Sequence, residues 1–361
     1  MPVAARSGRS EAKLDAETLE WLSQYLVISG VPVRRATQIS KKYAAYFLKT
    51  FEKNRPEVAI ITGDTRLQSR AAALACRTLG IRHYYFEQGP FGTTIFDSEG
   101  VNCTASFAKT FDHVPSNDNS TIPAITGQPK MRERKAVRAL DFFVQPLVIA
   151  LGFLEIREEK AFLKQVSRQL WLLRKSRKTL GPSQEPSECS VLVIGQVPTD
   201  ANFSLNSPYS APIDVVRDVE EMFPSSPVLF REHPLYIKSY GADFYSHFER
   251  SPKLSFSRGT SLDVEIEAAD HVVVVNSTAG MEVLLKHQKP VLVLGDASYL
   301  HLHGVHKRVD LAAFVNETPT ITEEAHAANW AWFRNSFQQG HFRDLDLQPV
   351  IAEILKRLDE D

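Results

Sequence analysis

The chain has 361 residues, 43% of them hydrophobic and 24% charged, with a formal net charge of −1. That length suits two domains of ordinary size, and the composition is that of a folded globular protein. The near-neutral balance excludes a global field drawing the chain onto nucleic acid, so attraction to an anionic partner must come from a local patch. The three cysteines, Cys76, Cys103 and Cys189, are far apart and lack metal-ligand spacing, which suits a reducing cytoplasm.

The opening MPVAARSGRSEAK has basic residues with no apolar core after them, so it reads as a frayed terminus rather than a signal peptide. From Glu57, EVAIITGD predicts a buried strand ending in a polar turn. TRLQSRAAALACRTLG predicts a helix closed by Gly80, and IRHYYFEQG a second strand running into a glycine turn. Strand, helix and strand on short connections imply parallel pairing in an α/β domain. The most apolar stretch, Phe142 to Leu154, is interrupted by Gln145 and Pro146 and falls short of the ~20 residues that span a bilayer. It reads as buried structure. Residues 133 to 180 read as mainly helical, and Leu180 to Glu188 as a linker in which Gly181, Pro182 and Pro186 break both periods.

After the linker the alternation is plainer. SVLVIG, PVLFREHP, KLSFS, HVVVVN and PVLVLG predict strands. PIDVVRDVEEMF, SLDVEIEAAD (begun by Ser261) and STAGMEVLLKHQ predict helices. The fold class is therefore α/β, with two Rossmann-like domains facing across a cleft. Residues 1–182 form the first with a helical extension, 189–335 the second, and 336–361 a helical segment packing back on the first. Ligands of open α/β sheets sit at the carboxyl ends of strands, so the loops there are the places to look for chemistry.

Four such loops carry candidates. At the end of VVVV, a helix begins near Ser277 or Thr278. Its first N–H groups and two hydroxyls, with small Ala279 and Gly280 behind them, can cradle a phosphate. Simple N-capping explains one hydroxyl but not the whole string from Asn276. Glu282, one turn on, is placed to reach a ribose hydroxyl or to sit in solvent. In FREHP, strand alternation points Arg231 and His233 to one face, where both can neutralise a phosphate and His233 can donate a proton; a structural His-Pro pair is the plainer alternative. GQVPTDANFSLNSPYS places Asp200 in a polar loop with Gln196, Asn202 and Ser207. A carboxylate there can attack or stabilise an anomeric carbon, or serve only as a helix cap or Asx turn. In the first domain, Glu87 precedes Gly89 at a strand end and can take a proton from a hydroxyl, or be a turn carboxylate. Asp64 and Arg66, in GDTR, can bind substrate or cap the next helix.

Other features read as decoys. His301, His303 and His306 form a loop without a zinc motif. Asp344 and Asp346 have Asp-x-Asp form but follow no strand. GxGxxG, GxxxxGK[ST] and G-x-S-x-G strings are absent, which leaves dinucleotide, P-loop and serine-hydrolase readings without support. The run from Lys164 to Lys178 carries six Lys or Arg and no acid, interleaved with Leu and Trp171. It predicts either a basic amphipathic helix touching anionic membrane or a solvated helix packed on its domain.

Taken in order, GDTR, FEQGPF…FDSEGVN, GQVPTDANFSLNSPYS, REHP and SLDVEIEAADHVVVVNSTAGMEVLLKHQKPVLVLGDASY resemble the capsule polysaccharide biosynthesis family, which includes bacterial β-Kdo transferases of capsule glycolipid assembly. The strings cover about residues 57 to 310. The Glu-x-Gly, His-Pro and Ser/Thr trio also looks like that of sialyltransferases using CMP donors. The resemblance implies a GT-B-like glycosyltransferase with the acceptor on the first domain and the nucleotide sugar on the second. It implies a CMP-Kdo donor as substrate, no metal or other cofactor, and a lipid-linked or Kdo-terminated glycan acceptor. Asp200 would be the nucleophile of a retaining double displacement, Glu87 the acid/base and His233 a phosphate partner, with Asn276, Ser277 and Thr278 holding CMP. The setting it implies is cytoplasmic, peripheral on the inner membrane, with no nucleic-acid partner. A transferase for a UDP or GDP sugar and a catalytically silent nucleotide- or glycan-binding module stay open beside it.

Overall fold

The structure, a computed structural model, describes residues 14–109, 189–257, 259–316 and 320–337 and three positions near the C-terminus. The apolar stretch Phe142–Leu154, the basic run Lys164–Lys178, the linker Leu180–Glu188 and the pair Asp344 and Asp346 lie outside the described residues. The chain divides into two compact units. One holds Met1–Glu87 with Ile95–Val101, the other Gln88–Thr94 with Asn102–Asp361.

The first unit opens with two helices that the sequence reading did not predict, α1 (Ala16–Ile28) and α2 (Val33–Asn54). Asp15 caps α1 by accepting from the Thr18 N–H at 2.8 Å. Then come β1 (Val58–Thr62), α3 (Leu67–Leu79), β2 (Arg82–Gln88) and β3 (Thr94–Asp97), in sheet order β1-β2-β3. β1 and β2 pair in parallel, Val58 opposite Arg82 and Thr62 opposite Phe86, as the strand-helix-strand pattern predicts. Gly80 ends α3 at φ 67°, a left-handed position that glycine fills without strain. Leu22, Leu26, Ala36, Leu67, Ala71 and Ala75 are buried in this unit. Arg70 ties α3 to α1: it donates to Trp21 O and to Gln24 Oε1 at 3.0 Å, and its guanidinium lies 5.2 Å from the Trp21 ring centre.

The second unit is built on six parallel strands, β4 (Cys189–Ile194), β5 (Val228–Arg231), β6 (Leu254–Phe256), β7 (Ala269–Val274), β8 (Val291–Val293) and β9 (Val305–His306). The helices between and after them are α4 (Ala201–Leu205), α5 (Pro212–Met222), α6 (Ala242–Arg250), α7 (Leu262–Ala268), α8 (Ala279–Lys286), α9 (Leu311–Asn316) and α10 (Glu323–Ser336). Every strand and helix predicted between Ser190 and Gly295 is present, whereas α4, α6, β9, α9 and α10 were not predicted. The central strands lie between helices on both faces, so they read as unbroken apolar runs rather than alternating ones. Val191, Val193, Val219, Phe230, Val273 and Leu292 are all at most 2% exposed. Phe230 anchors an aromatic cluster, its ring 5.1–5.9 Å from those of Tyr240, Phe244 and Phe248. Trp330, Phe333 and Phe337 on and after α10 close the far end, Trp330 and Phe333 facing Phe91 and the Trp332 indole donating to Phe107 O.

Across this sheet the order is β6-β5-β4-β7-β8-β9. Numbered from the sheet's own first strand it is 3-2-1-4-5-6, the doubly wound order that leaves a crevice where the chain reverses direction. That crevice lies at the carboxyl ends of β4 and β7.

Candidate functional site

β4 and β7 are neighbours, Ile194 beside Val274, but the chain leaves β4 toward β5 and leaves β7 toward β8. Their outgoing loops diverge and leave the edge between them open. Three sequence-predicted loops meet at this edge: Gly195–Asp200 after β4, Glu232–Pro234 after β5 and Asn276–Thr278 after β7. Gly195 makes the approach possible, because a Cβ there would stand 2.7 Å from Arg231 O and from the Phe230 ring.

One hydrogen-bond chain joins the three loops. The His233 N–H donates to Tyr240 Oη (3.0 Å), Tyr240 Oη–H donates to Gln196 O (3.2 Å), and Gln196 Nε2 donates to Asn276 Oδ1 (2.8 Å). Asn276 is 2% exposed. Its Nδ2 donates to Asn202 O (2.9 Å) and Asn206 O (3.0 Å), and its backbone carbonyl accepts from Asn202 Nδ2 (3.2 Å). Asn206 Nδ2 in turn donates to Asn202 Oδ1 (2.8 Å). The sequence reading gave Gln196 and Asn202 to the substrate and Asn276 to the nucleotide. The structure instead uses their amides to hold α4 and the strand ends together, which leaves the ligand to neighbouring groups.

Those neighbours are Ser277 and Thr278. Thr278 is the N-cap of α8, is exposed, and makes no side-chain cap bond, so plain capping does not account for its hydroxyl. Ser277 Oγ accepts from the Ala279 N–H (3.2 Å), leaving its own proton to donate outward. Among the described residues the N–H groups of Ser277 and Thr278 meet no acceptor. Two N–H donors, two hydroxyls and the positive end of a helix make a receptor for an anion.

Gly280 shapes this turn from behind. The buried Tyr299 hydroxyl donates to Ser277 O, and a Cβ on residue 280 would lie 2.3 Å from that hydroxyl. Gly280→Ala is expected to cost about 1–3 kcal/mol by overpacking. Tyr299→Phe in the same chain should recover part of the loss. A urea midpoint unchanged by Gly280→Ala would show that the turn yields freely. Glu282 is half-buried with its carboxyl pushed up by burial, in the field of Lys286, Asp263 and His287.

Asp200 is exposed and caps α4, its Oδ1 accepting from the Asn202 N–H at 2.8 Å. The helix-cap alternative is therefore real, but it occupies one oxygen and fixes the carboxylate without covering it. His233 lies in the field of Asp200. Its Nδ1 accepts from the Leu235 N–H at 3.2 Å, so the neutral ring carries its proton on Nε2. Burial lowers its pKa, with Asp200 opposing in part. In its neutral form the ring is a hydrogen-bond donor through Nε2–H.

His83, His271 and His301 are likewise lowered by burial. A folded pKa below the unfolded value of ~6.5 means the unfolded chain takes up the proton first. Stability from these rings is whole above pH ~6.5 and is lost as pH falls below it, levelling off beneath the folded values. His233→Asn is expected to shrink, not abolish, the fall in urea midpoint between neutral and mildly acidic buffer. An undiminished fall would mean His233 titrates as it does in the unfolded chain.

Arg231 departs from its expected part. β5 ends at Arg231, so strand alternation does not carry on to His233. Its Nη1 donates to Glu265 Oε2 (2.7 Å), Thr260 O (2.9 Å) and Ser257 Oγ (3.3 Å), on the β6–α7 side. The Glu265 side chain is fully buried and also accepts from Ser257 and Thr260 hydroxyls. Arg231 therefore offsets a buried carboxylate, while His233 neighbours Asp200 on the β4 side. Glu265, Asn206, Tyr240 and Tyr299 all shape the site and were missed in sequence. Their only signal there is polarity inside an apolar pattern.

In the first unit, Glu87 is the next-to-last residue of β2, with its Oε2 close to Gly63, where a Cβ would lie 3.3 Å away. Asp64 Oδ2 accepts from the Val101 N–H at 3.1 Å, joining GDTR to the turn after β3 rather than capping α3. Arg66 is the exposed N-cap residue of α3, its guanidinium 5.9 Å from the Tyr25 ring centre.

The His301 ring packs at 5.1 Å on Trp332 and the His306 ring at 5.1 Å on Phe314. Among the described residues no group of three His, Cys, Asp or Glu side chains is arranged to hold a metal ion. A cavity of about 450 Å³ opens at the amino ends of β7 and β8, lined by His271, His287, Lys289 and Phe314. It is larger than the space at the crevice, but its Lys289, His287 and Gln288 side chains are engaged. Lys289 Nζ donates to the carbonyls of Ile266, Glu267 and Ala269, and His287 sits between Asp263 and Glu267. We place the chemistry at the strand carboxyl ends, where donors remain to be used.

A family model described as capsule polysaccharide biosynthesis protein matches residues 155–342. The chain is 34% identical over 113 residues to protein FixF of Sinorhizobium fredii; the match takes in 30% of this chain and 27% of that protein's length. Among solved structures it is similar to the β-Kdo 2,7 transferase of Thermosulfurimonas dismutans KpsC, at 16% identity and a TM-score of 0.40 over 78% of each chain. It is similar to the β-Kdo 2,4 transferase of the same protein at 15% and 0.40, over 77% of this chain and 80% of that one. UDP-GlcNAc 2-epimerase of Methanocaldococcus jannaschii follows at 13% identity and 0.33, over 89% and 81%.

Proposed function

The chain belongs to the capsule polysaccharide biosynthesis family, and from that premise we propose that it is a glycosyltransferase moving Kdo from CMP-Kdo to a glycan acceptor with retention. The observation that carries this reading is the pairing at the switch point. An anion receptor at the start of α8 stands at the end of β7, and a fixed, exposed carboxylate, Asp200, at the end of neighbouring β4.

The donor's phosphate takes the N–H groups and hydroxyls of Ser277 and Thr278, with the His233 Nε2–H beside Asp200 as a further donor. Asp200 Oδ2 attacks the anomeric carbon as the bond to the phosphate oxygen breaks, and CMP leaves with that electron pair. Charge develops on a single phosphate, which fixed N–H and hydroxyl dipoles can stabilise. In the second half the acceptor hydroxyl gives its proton to a base, the part the family resemblance gives Glu87, and attacks the same carbon, returning Asp200 as a carboxylate. The acceptor is lipid-linked or Kdo-terminated in this reading, and no divalent ion is needed.

Calorimetry with CMP, UMP and GDP tests the donor: CMP is expected to bind at least about tenfold tighter than the others, a difference of ~1.4 kcal/mol. Preference for UMP or GDP would redirect the reading to another nucleotide sugar. Binding without turnover of any sugar would make the chain a binding module. Intact-mass analysis of a Glu87→Gln variant given CMP-Kdo is expected to show one sugar adduct, on Asp200.

A further inference from the structure

The loop from Glu232 to Gly241, between β5 and α6, carries His233 and is tied to itself at several points. Glu232 Oε1 accepts from the Lys238 N–H (2.9 Å) and the Tyr245 hydroxyl (2.6 Å). Tyr245 Oη accepts from the Tyr240 N–H (3.3 Å), and His233 O accepts from the Tyr236 N–H (2.7 Å). Lys238 stands at φ 56°, in the left-handed region that disfavours any residue with a Cβ. Such strain persists only where the surroundings over-determine it, and it collects at sites that must hold one shape.

One buried phenol joins this loop to the turn after β4. Tyr240 is 9% exposed, its ring stacked 4.9 Å from Phe244 and edge-on 5.5 Å from Phe230, so packing fixes where the hydroxyl stands. Burial pushes the phenol up, and it keeps its proton at neutral pH. Its oxygen takes the His233 N–H, and its proton goes to Gln196 O. Gln196 opens the turn that ends at Asp200, closed by the Asp200 N–H on Val197 O (3.0 Å). We propose that Tyr240 is a positioning residue for the transfer: through this bridge its hydroxyl holds the His233 ring in register with Asp200 and with the anion receptor at α8. The bridge pins the imidazole from its own backbone, Nδ1 being already taken by the Leu235 N–H, and leaves Nε2–H for the phosphate. A hydrogen-bond donor stabilises developing charge best when it is already aimed as the charge appears. The effect on rate rests on the transfer reading; the coupling of His233 to Asp200 does not.

Tyr240→Phe removes the hydroxyl and keeps the ring. For this variant kcat is expected to fall at least about tenfold while KM for CMP-Kdo moves less than about threefold, because a mis-aimed donor costs most where the phosphate charge is largest. The second readout is the His233 titration by NMR. In the wild-type background Asp200→Asn should lower it; in the Tyr240→Phe background the same substitution should move it less than about half as far. Tyr236→Phe is the control, since its ring lies 5.1 Å from that of Tyr240 but its hydroxyl has no part in the bridge, and it should leave both readouts unchanged. Tyr245→Phe, which loosens the loop at its other tie, should reproduce the kcat fall in smaller measure and serves should Tyr240→Phe fold poorly. Wild-type kcat in Tyr240→Phe, equal Asp200→Asn shifts in both backgrounds or none in either, or the same losses in Tyr236→Phe would each overturn the proposal. A wild-type chain that transfers no sugar would overturn the transfer reading instead, and the titrations would still decide the part of Tyr240.

Discussion

Asp200→Asn is expected to lower sugar transfer by roughly 10³-fold or more while leaving the fold intact and CMP bound as well as before or tighter. The reasoning starts from the cap. Asp200 Oδ1 accepts from the Asn202 N–H, and asparagine is an equally good N-cap, so α4 keeps its start. What the variant lacks is a nucleophilic oxygen. In rate terms 10³ is about 4 kcal/mol of barrier, the scale expected when a nucleophile is removed rather than a positioning contact. Removing a negative charge near the phosphate receptor gives no reason for weaker nucleotide binding. A second readout comes from His233, whose pKa the Asp200 charge holds up against burial. In the variant this ring should titrate lower still by NMR. Wild-type turnover would remove Asp200 from the reaction, and an unmoved His233 titration would break the link between the two side chains.

The sequence was most legible where local and global preferences agree. The VVVV run of β7 and the helix from Ser261, whose Oγ accepts from the Val264 N–H, carry their signals in adjacent residues. The same holds for the helix start after Asn276, since an anion receptor made of consecutive residues is written consecutively. What was illegible depends on who meets whom. Asn276, Asn202 and Gln196 look alike as polar loop residues, and only the β4–β7 pairing shows that their amides satisfy each other. Arg231 looks like a phosphate ligand until Glu265, 34 residues on, is found buried beneath it. α2 went unread because three of its four buried positions are small or polar, Ala36, Ser40 and Ala44, and its charge lies on the face that carries no packing signal.

Asn276→Ala is the variant expected to harm the fold most among site substitutions, by about 3–5 kcal/mol. Asn276 is 2% exposed, and its amide serves Gln196 Nε2, Asn202 O and Asn206 O together. Truncation leaves these three groups without their partner in a space too enclosed for each to recruit water, at about 1–3 kcal/mol per abandoned group with partial relaxation. The loss should be cooperative with the loop. Asn206 O also accepts from the Asp296 N–H, so a shift there disturbs the turn after β8. Asn276→Asp is the sharper probe. It keeps the acceptor toward Gln196 but turns a donor toward Asn202 O and Asn206 O into an anion, which should destabilise at least as much as alanine despite its matching shape. Urea denaturation of both variants, with CMP calorimetry on the folded fraction, separates the two parts this residue plays. If Asn276 shapes the receptor without touching nucleotide, affinity should fall only as far as the loops loosen, and the Asn202→Ala variant should reproduce most of that fall. A large affinity loss in Asn276→Ala with an unchanged urea midpoint would instead return its amide to the ligand.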